Sequence, residues 1–270
     1  MNELQSKVLN ILKWTDAFCR EHNIRYYLVG GSMLGAVRHH GFIPWDDDID
    51  IAVPRRDYER LYSMLSQLED SVYCVETYKN RADDYIYPYM KIYDKTTTVI
   101  EKTSNRLKRG VFLDVFPIDG MEHYRKEQRC HFKKIRMSVN FLCSKVCCWR
   151  RGRRLYKNLA LLASKLIPLF GGYQKILSKI DLQCQKYDYQ TSEYVGILTG
   201  RYGEKEIMPQ CYYGMPTEYE FEGLRCFGVE KYDLYLTKLY GDYMKPPPEE
   251  ERVSPHNFLS CELGKSYKEE

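Results

Sequence analysis

Asp48-Ile49-Asp50-Ile51 is the segment of this chain whose residue types and spacing most directly suggest chemistry. In an extended strand side chains alternate between faces, so Asp48 and Asp50 share one face while Ile49 and Ile51 turn into a core. Two carboxylates held a few ångströms apart repel each other unless a cation lies between them. A hard divalent ion with oxygen ligands, Mg²⁺ first and Mn²⁺ second, fits such a pair. A solvated acidic loop would account for the charge, but not for apolar residues alternating with the last acids.

About sixteen residues upstream, the strand-like run RYYLVG ends at Gly30-Gly31-Ser32 and turns into a short helix. Backbone N–H groups at a helix start cradle phosphate, and Ser32 is expected to cap that helix. An anion site beside a cation site is what phosphoryl or nucleotidyl transfer requires. A third carboxylate is expected from GVFLDVFPID, where Asp114 stands among Phe112, Leu113, Val115 and Phe116. An acid in so apolar a strand is costly to bury unless paired or metal-bound. Asp119, after Pro117, reads as a turn residue.

These residues need a scaffold, and its elements are readable from periodicity. Helices are expected at 4–22, after Ser32, at 57–69 and at 230–244; strands at 25–30, 47–54, 72–78, 85–93, 97–101, 111–116, 194–200 and 218–229. The class is α+β: a mixed sheet flanked by helices, with a basic helical insertion. The expected division is a catalytic core at 1–120, a basic helical region at 121–190, and a C-terminal mixed segment at 191–270 that completes core and site.

The chain has 270 residues, with 41 Lys plus Arg against 37 Asp plus Glu, a net +4 too mild to mark a nucleic-acid binder. The charge is unevenly placed: residues 122–165 carry +11 and the remainder −7. That region, with WRRGRR at 149–154 and an apolar helix at 155–170, suggests contact with an anionic membrane leaflet or a polyanionic acceptor. No apolar run reaches the ~18 residues of a membrane span, and no signal peptide is evident, so the expected location is cytoplasmic or peripheral at the inner face of the membrane. The ten cysteines show no CxxC spacing and read as reduced thiols; Cys143, Cys147 and Cys148 are the one cluster with any claim on a metal.

The run LVGGSMLGAVRHHGFIPWDDDIDIAVPRRDYERL, followed by GVFLDVFPIDG and LYGDYMKPPPEEER…H, resembles the LicD family of phosphocholine transferases, related to fukutin, within the nucleotidyltransferase superfamily. The likeness is densest over 25–60, good at 85–120 and 232–256, and weak over 121–190. It implies a nucleotidyltransferase-like fold and transfer of phosphocholine from CDP-choline to a sugar hydroxyl of lipopolysaccharide, teichoic acid or a lipid-linked glycan. It further implies two Mg²⁺ held by Asp48, Asp50 and Asp114, with Asp114 helping to deprotonate the acceptor. On that reading Gly30, Gly31 and Ser32 hold phosphate oxygens, and Arg38 and Lys91, the latter at the family's lysine position, stand near the diphosphate. Trp45 would meet the quaternary ammonium by cation–π contact, His256 would return from the C-terminal loop, and His39 and His40 would stay peripheral. The alternatives are NMP transfer from an NTP, polyol-phosphate transfer from a CDP-polyol, and a non-catalytic module binding anionic membranes.

Overall fold

The computed structural model describes residues 1–81, 84–103, 106–147, 155–166, 171–254 and 258–269. Helix α1 (Glu3–Glu21) opens with a reciprocal cap: the Asn2 side chain accepts from the Gln5 amide, and the Gln5 side chain accepts from the Asn2 amide. Then follow β1 (Tyr27–Leu28), α2 (Gly30–His39), β2 (Asp50–Pro54), α3 (Arg55–Leu65), β3 (Tyr73–Glu76), β4 (Met90–Asp94), β5 (Thr98–Glu101), β6 (Lys108–Arg109) and β7 (Phe112–Met121). The basic region forms α4 (Arg125–Val146), α5 (Leu155–Leu166) and α6 (Gly172–Cys184). The last part holds β8 (Tyr194–Gly196), β9 (Met208–Pro209), α7 (Gln210–Tyr213), β10 (Thr217–Phe221), β11 (Leu224–Gly228), α8 (Tyr232–Tyr240) and β12 (Phe258–Glu262).

The main sheet runs β10-β11-β1-β2-β7-β4-β3, with β8 on β7 and β9 on β8; a small sheet orders β12-β5-β6. Pairs β1–β11 and β2–β7 are parallel and the rest antiparallel, so the sheet is mixed and helix-flanked as the sequence suggests. Strands from the C-terminal segment extend it: β11 pairs with β1 across Leu28↔Gly228. Ile49, Ile51, Leu113, Val115 and Ile92 are buried in the principal core with Ile11 and Leu12 of α1.

Strand β7 departs from the sequence reading. It continues through Pro117 to Met121, so Asp119 is a buried strand residue, not a turn. Proline is tolerated where no neighbouring strand needs its missing N–H. Pairing with β4 ends at Val115, pairing with β8 starts at Asp119, and Pro117 falls between them. The strand expected at 85–93 is regular only from Met90; that expected at 218–229 is a hairpin turning at Glu222-Gly223, both with positive φ. Strand β12 and helix α6 carried no clear sequence signal.

In α4, Phe132, Ile135, Val139 and Leu142 form an apolar stripe packed with Leu177, Ile180 and Cys184 of α6. No helix among the described residues is long and apolar enough to cross a membrane. The arginines at 150, 151, 153 and 154, on which the expectation of membrane contact most depends, lie outside the described residues, as do Cys148 and His256.

Candidate active site

Strand register puts the key groups in one row. Asp50 of β2 lies opposite Asp114 of β7, and Asp114 opposite Lys91 of β4. Residues directly across a ladder project to the same face. Asp48 precedes the regular strand, but its exposure alternates with that of Ile49 as expected, and Asp46 joins it. Asp46, Asp48, Asp50 and Asp114 line one cavity of about 410 Å³.

Lys91 is buried, and its ammonium lies 2.7 Å from Asp114 Oδ1 and 3.3 Å from the Phe112 ring centroid. The Tyr89 hydroxyl donates to Asp114 Oδ2 at 3.3 Å. Asp50 has a different environment. Burial raises its carboxyl well above the ordinary range, and Asp48, Asp114 and Asp46 raise it further against the pull of Lys91. The side-chain ligand atoms of Asp46, Asp47 and Asp48 fall within 4.8 Å of one another, the one such group of three among the described residues. Mutual repulsion in a dense set of hard oxygen donors is what a divalent cation relieves, so the residues fit one. Cys143 and Cys147 assemble no comparable group among the described residues.

The glycine turn works differently from the expected cradle. Helix α2 begins at Gly30, whose φ of +54° is open to glycine and strained for other residues. A Cβ there would stand 3.5 Å from Asp50 Oδ2, and one on Gly31 would come within 2.7 Å of Asp46 Oδ2. Both glycines line the cavity and let the chain pass against the carboxylates. The Gly30 amide donates to the Tyr235 hydroxyl at 3.0 Å. Ser32 does not cap α2; Val29 holds the cap position without a side-chain bond, because the helix starts two residues earlier than the serine suggests. The Ser32 hydroxyl instead accepts the Asp50 amide at 2.8 Å, which fixes the acid-bearing strand to the helix.

Arg38 and Trp45 do not line the cavity. The Arg38 guanidinium donates to the Tyr243 carbonyl at 2.7 Å and to His39 Nε2 at 3.0 Å, in the last turn of α2. Trp45 packs on the core and faces the Arg252 guanidinium, 5.5 Å from its ring. Chain proximity to the acids did not fix their direction.

The cavity recruits residues that the sequence reading missed. Arg136, Val139 and Cys143 present one face of α4, at spacings of three and four, and Arg201, Tyr202 and Glu206 come from the segment after β8. Arg136 also donates to the Gly200 carbonyl at 3.2 Å. One cation of the basic region thus faces the acids, which its +11 charge alone did not localise. Glu206 is buried, its Oε1 accepts the Tyr202 amide at 3.3 Å, and desolvation raises its carboxyl to about 7.

A family model described as LicD/FKTN/FKRP, nucleotidyltransferase domain, matches residues 23–142. The chain is 34% identical over 262 residues to the lipopolysaccharide cholinephosphotransferase LicD of Haemophilus influenzae, covering 96% of both chains. It is 53% identical over 34 residues to the human ribitol 5-phosphate transferase FKRP, which is 13% of this chain and 7% of that protein.

Proposed function

This chain is a transferase enzyme of the LicD family, and on that premise we propose that it moves phosphocholine from CDP-choline to a sugar hydroxyl of a cell-surface glycan of the lipopolysaccharide or teichoic acid type. The observation that carries this reading is the single cavity whose lining includes Asp46, Asp48, Asp50 and Asp114 together with Arg136 and Arg201. The full-length likeness to a lipopolysaccharide cholinephosphotransferase supports the choice of group and acceptor.

In this proposal Asp48, Asp50 and Asp114, joined by Asp46, hold Mg²⁺. The ion, when bound, neutralises charge on the donor diphosphate. Arg136 and Arg201, which line the same cavity, take the role first expected of Arg38 and meet diphosphate oxygens; guanidinium groups suit this because they stay charged and bond in pairs. The acceptor oxygen bonds to the choline-bearing phosphorus as the bond from that phosphorus to the bridging oxygen breaks, and CMP departs with the electron pair. The hydroxyl proton passes to Asp114 at Oδ2, the oxygen on the side away from the 2.7 Å contact with Lys91. Lys91 pairs with Asp114 and orients it rather than touching phosphate itself.

Incubation with CDP-choline, Mg²⁺ and a lipopolysaccharide acceptor should release CMP in step with choline incorporation. Pyrophosphate release from an NTP without CMP formation from CDP-choline would overturn the proposal. The short match to a ribitol 5-phosphate transferase includes none of the chain beyond 34 residues, so a CDP-ribitol arm belongs in the same assay. Preferential turnover of that donor would move the reading to polyol-phosphate transfer.

A further inference from the structure

Beside the carboxylate cavity lies a second one of about 380 Å³, enclosed between α4 and the segments 86–89 and 101–103. Tyr89, Val139, Cys143 and Thr199 line both, so the two share a wall. The second is largely apolar, walled by Ile86, Pro88, Leu142 and Val146, with Tyr87 and Tyr89 presenting rings 5.6 Å apart. Into it comes one acid, Glu101, at the end of β5. Its Oε2 accepts the Tyr87 hydroxyl. Its Oε1 is buried and has no hydrogen-bond partner among the described residues. A buried carboxylate oxygen without a partner is expensive to maintain, and its presence in a native cleft calls for an explanation.

We infer that this cleft is a subsite for a quaternary ammonium group, with Glu101 as counter-ion and Tyr87 and Tyr89 as the aromatic faces. Such a cation carries a full charge under an apolar methyl surface, so it suits a cleft that supplies ring faces and a single carboxylate whose free oxygen can offset that charge. An ordinary ammonium would find too few acceptors there. Lys91 already lies 4.3 Å from the Tyr87 ring and 5.8 Å from the Tyr89 ring, but its ammonium is paired with Asp114 at 2.7 Å, and no salt bridge to Glu101 is formed among the described residues. Lys102 also borders the cleft, and its exposed side chain can keep its ammonium in water. Tyr89 joins the two ends: its hydroxyl touches Asp114, and its ring lines the ammonium cleft. This subsite replaces Trp45, whose ring faces Arg252. The inference rests on the CDP-choline reading for its natural ligand, but not for its chemistry.

The test uses the full chain with two probes. Tetramethylammonium binding, followed by saturation-transfer NMR, addresses the cleft without any reaction. Donor turnover then compares CDP-choline with its neutral isostere, in which carbon replaces the ammonium nitrogen. Wild type should bind tetramethylammonium and prefer CDP-choline by about tenfold or more in kcat/KM, the range of a desolvated cation–aromatic contact. Glu101→Gln, which can still accept the Tyr87 hydroxyl, and Tyr87→Leu should each lose tetramethylammonium binding and bring the preference within about threefold. Thermal melts of both variants check folding. A preference for CDP-choline that survives in both folded variants overturns the subsite and leaves the donor reading standing. Tetramethylammonium binding that depends on Glu101 in an enzyme that ignores CDP-choline upholds the subsite and overturns the donor reading. Absence of tetramethylammonium binding in wild type overturns the subsite outright.

Discussion

Strand β7 carries two buried aspartates five residues apart, and their surroundings are opposites. Asp119 meets Arg55 through both oxygens at 2.6 and 2.7 Å, and the same guanidinium bonds Asp181 at 2.9 Å and Glu59 at 3.2 Å. Tyr78 adds a bond to Asp181 at 2.7 Å, so α3, β7 and α6 are tied together. Burial raises the Asp119 carboxyl, Arg55 opposes the rise through charge and hydrogen bonds, and Asp181 and Glu59 add smaller upward pushes. Asp114 belongs instead to a cluster in which Asp50 is raised by burial and then by three more acids, with Lys91 as the opposing cation. A compensated acid cluster holds a fold together. A cluster in which acids reinforce one another's discomfort stores the demand for a ligand.

The contrast is sharpest when each cluster is cut. Asp48→Asn and Asp50→Asn are expected to lower kcat by a thousandfold or more, about 4 kcal/mol of barrier, with melting temperature unchanged or raised because repulsion is relieved. Steady-state CMP release and calorimetry check this together. Asp114→Asn should lose as much activity but also melt earlier, because it leaves Lys91 buried without its partner. In the other cluster, Asp119→Asn or Arg55→Leu should cost about 3–5 kcal/mol of stability, with turnover per folded molecule close to wild type. Denaturant titration combined with active-site counting would read that difference.

A smaller effect belongs to the two arginines of the cavity lining. Arg136→Gln and Arg201→Gln should each lower kcat/KM for the donor by roughly ten- to a hundredfold while the melt moves little. Equal losses for donor and for a neutral analogue of it would remove these arginines from the diphosphate. The smallest effect concerns Glu206. Its carboxyl sits at about 7 rather than its ordinary 4.5, so the folded state holds a proton that the unfolded state has lost. Stability therefore falls as pH rises from about 4.5 to about 7, by no more than roughly 3 kcal/mol at 1.36 kcal/mol per unit. Glu206→Gln should flatten that slope: relative to wild type its melting temperature gains more at pH 8 than at pH 5.

The acids at 48, 50 and 114 were legible because strands have a period of two and because a charge flanked by apolar residues is conspicuous. Asp46 was hidden in a run of three aspartates, where no alternation marks it. Arg136 and Arg201 were out of reach for another reason: they meet the site only through the packing of α4 and the segment after β8 against the sheet. Arg38 and Trp45 show the reverse error, since closeness along the chain to the acids did not carry their side chains into the cavity. Ser32 was recognised as important, but its hydroxyl accepts the Asp50 amide rather than capping the helix. Asp119 was misread because Pro117 suggests a break, whereas the gap between β4 and β8 accommodates it.

In the proposed function the acids around Asp50 form a cation site for catalysis rather than a structural network. Thermal melts of wild type and Asp50→Asn, each with EDTA and with millimolar Mg²⁺, test it most directly. Mg²⁺ should raise the wild-type melting temperature, and the metal-free variant should melt no lower than metal-free wild type and fail to respond to Mg²⁺. A variant that melts lower in EDTA and still gains the full wild-type increment from Mg²⁺ would contradict the claim.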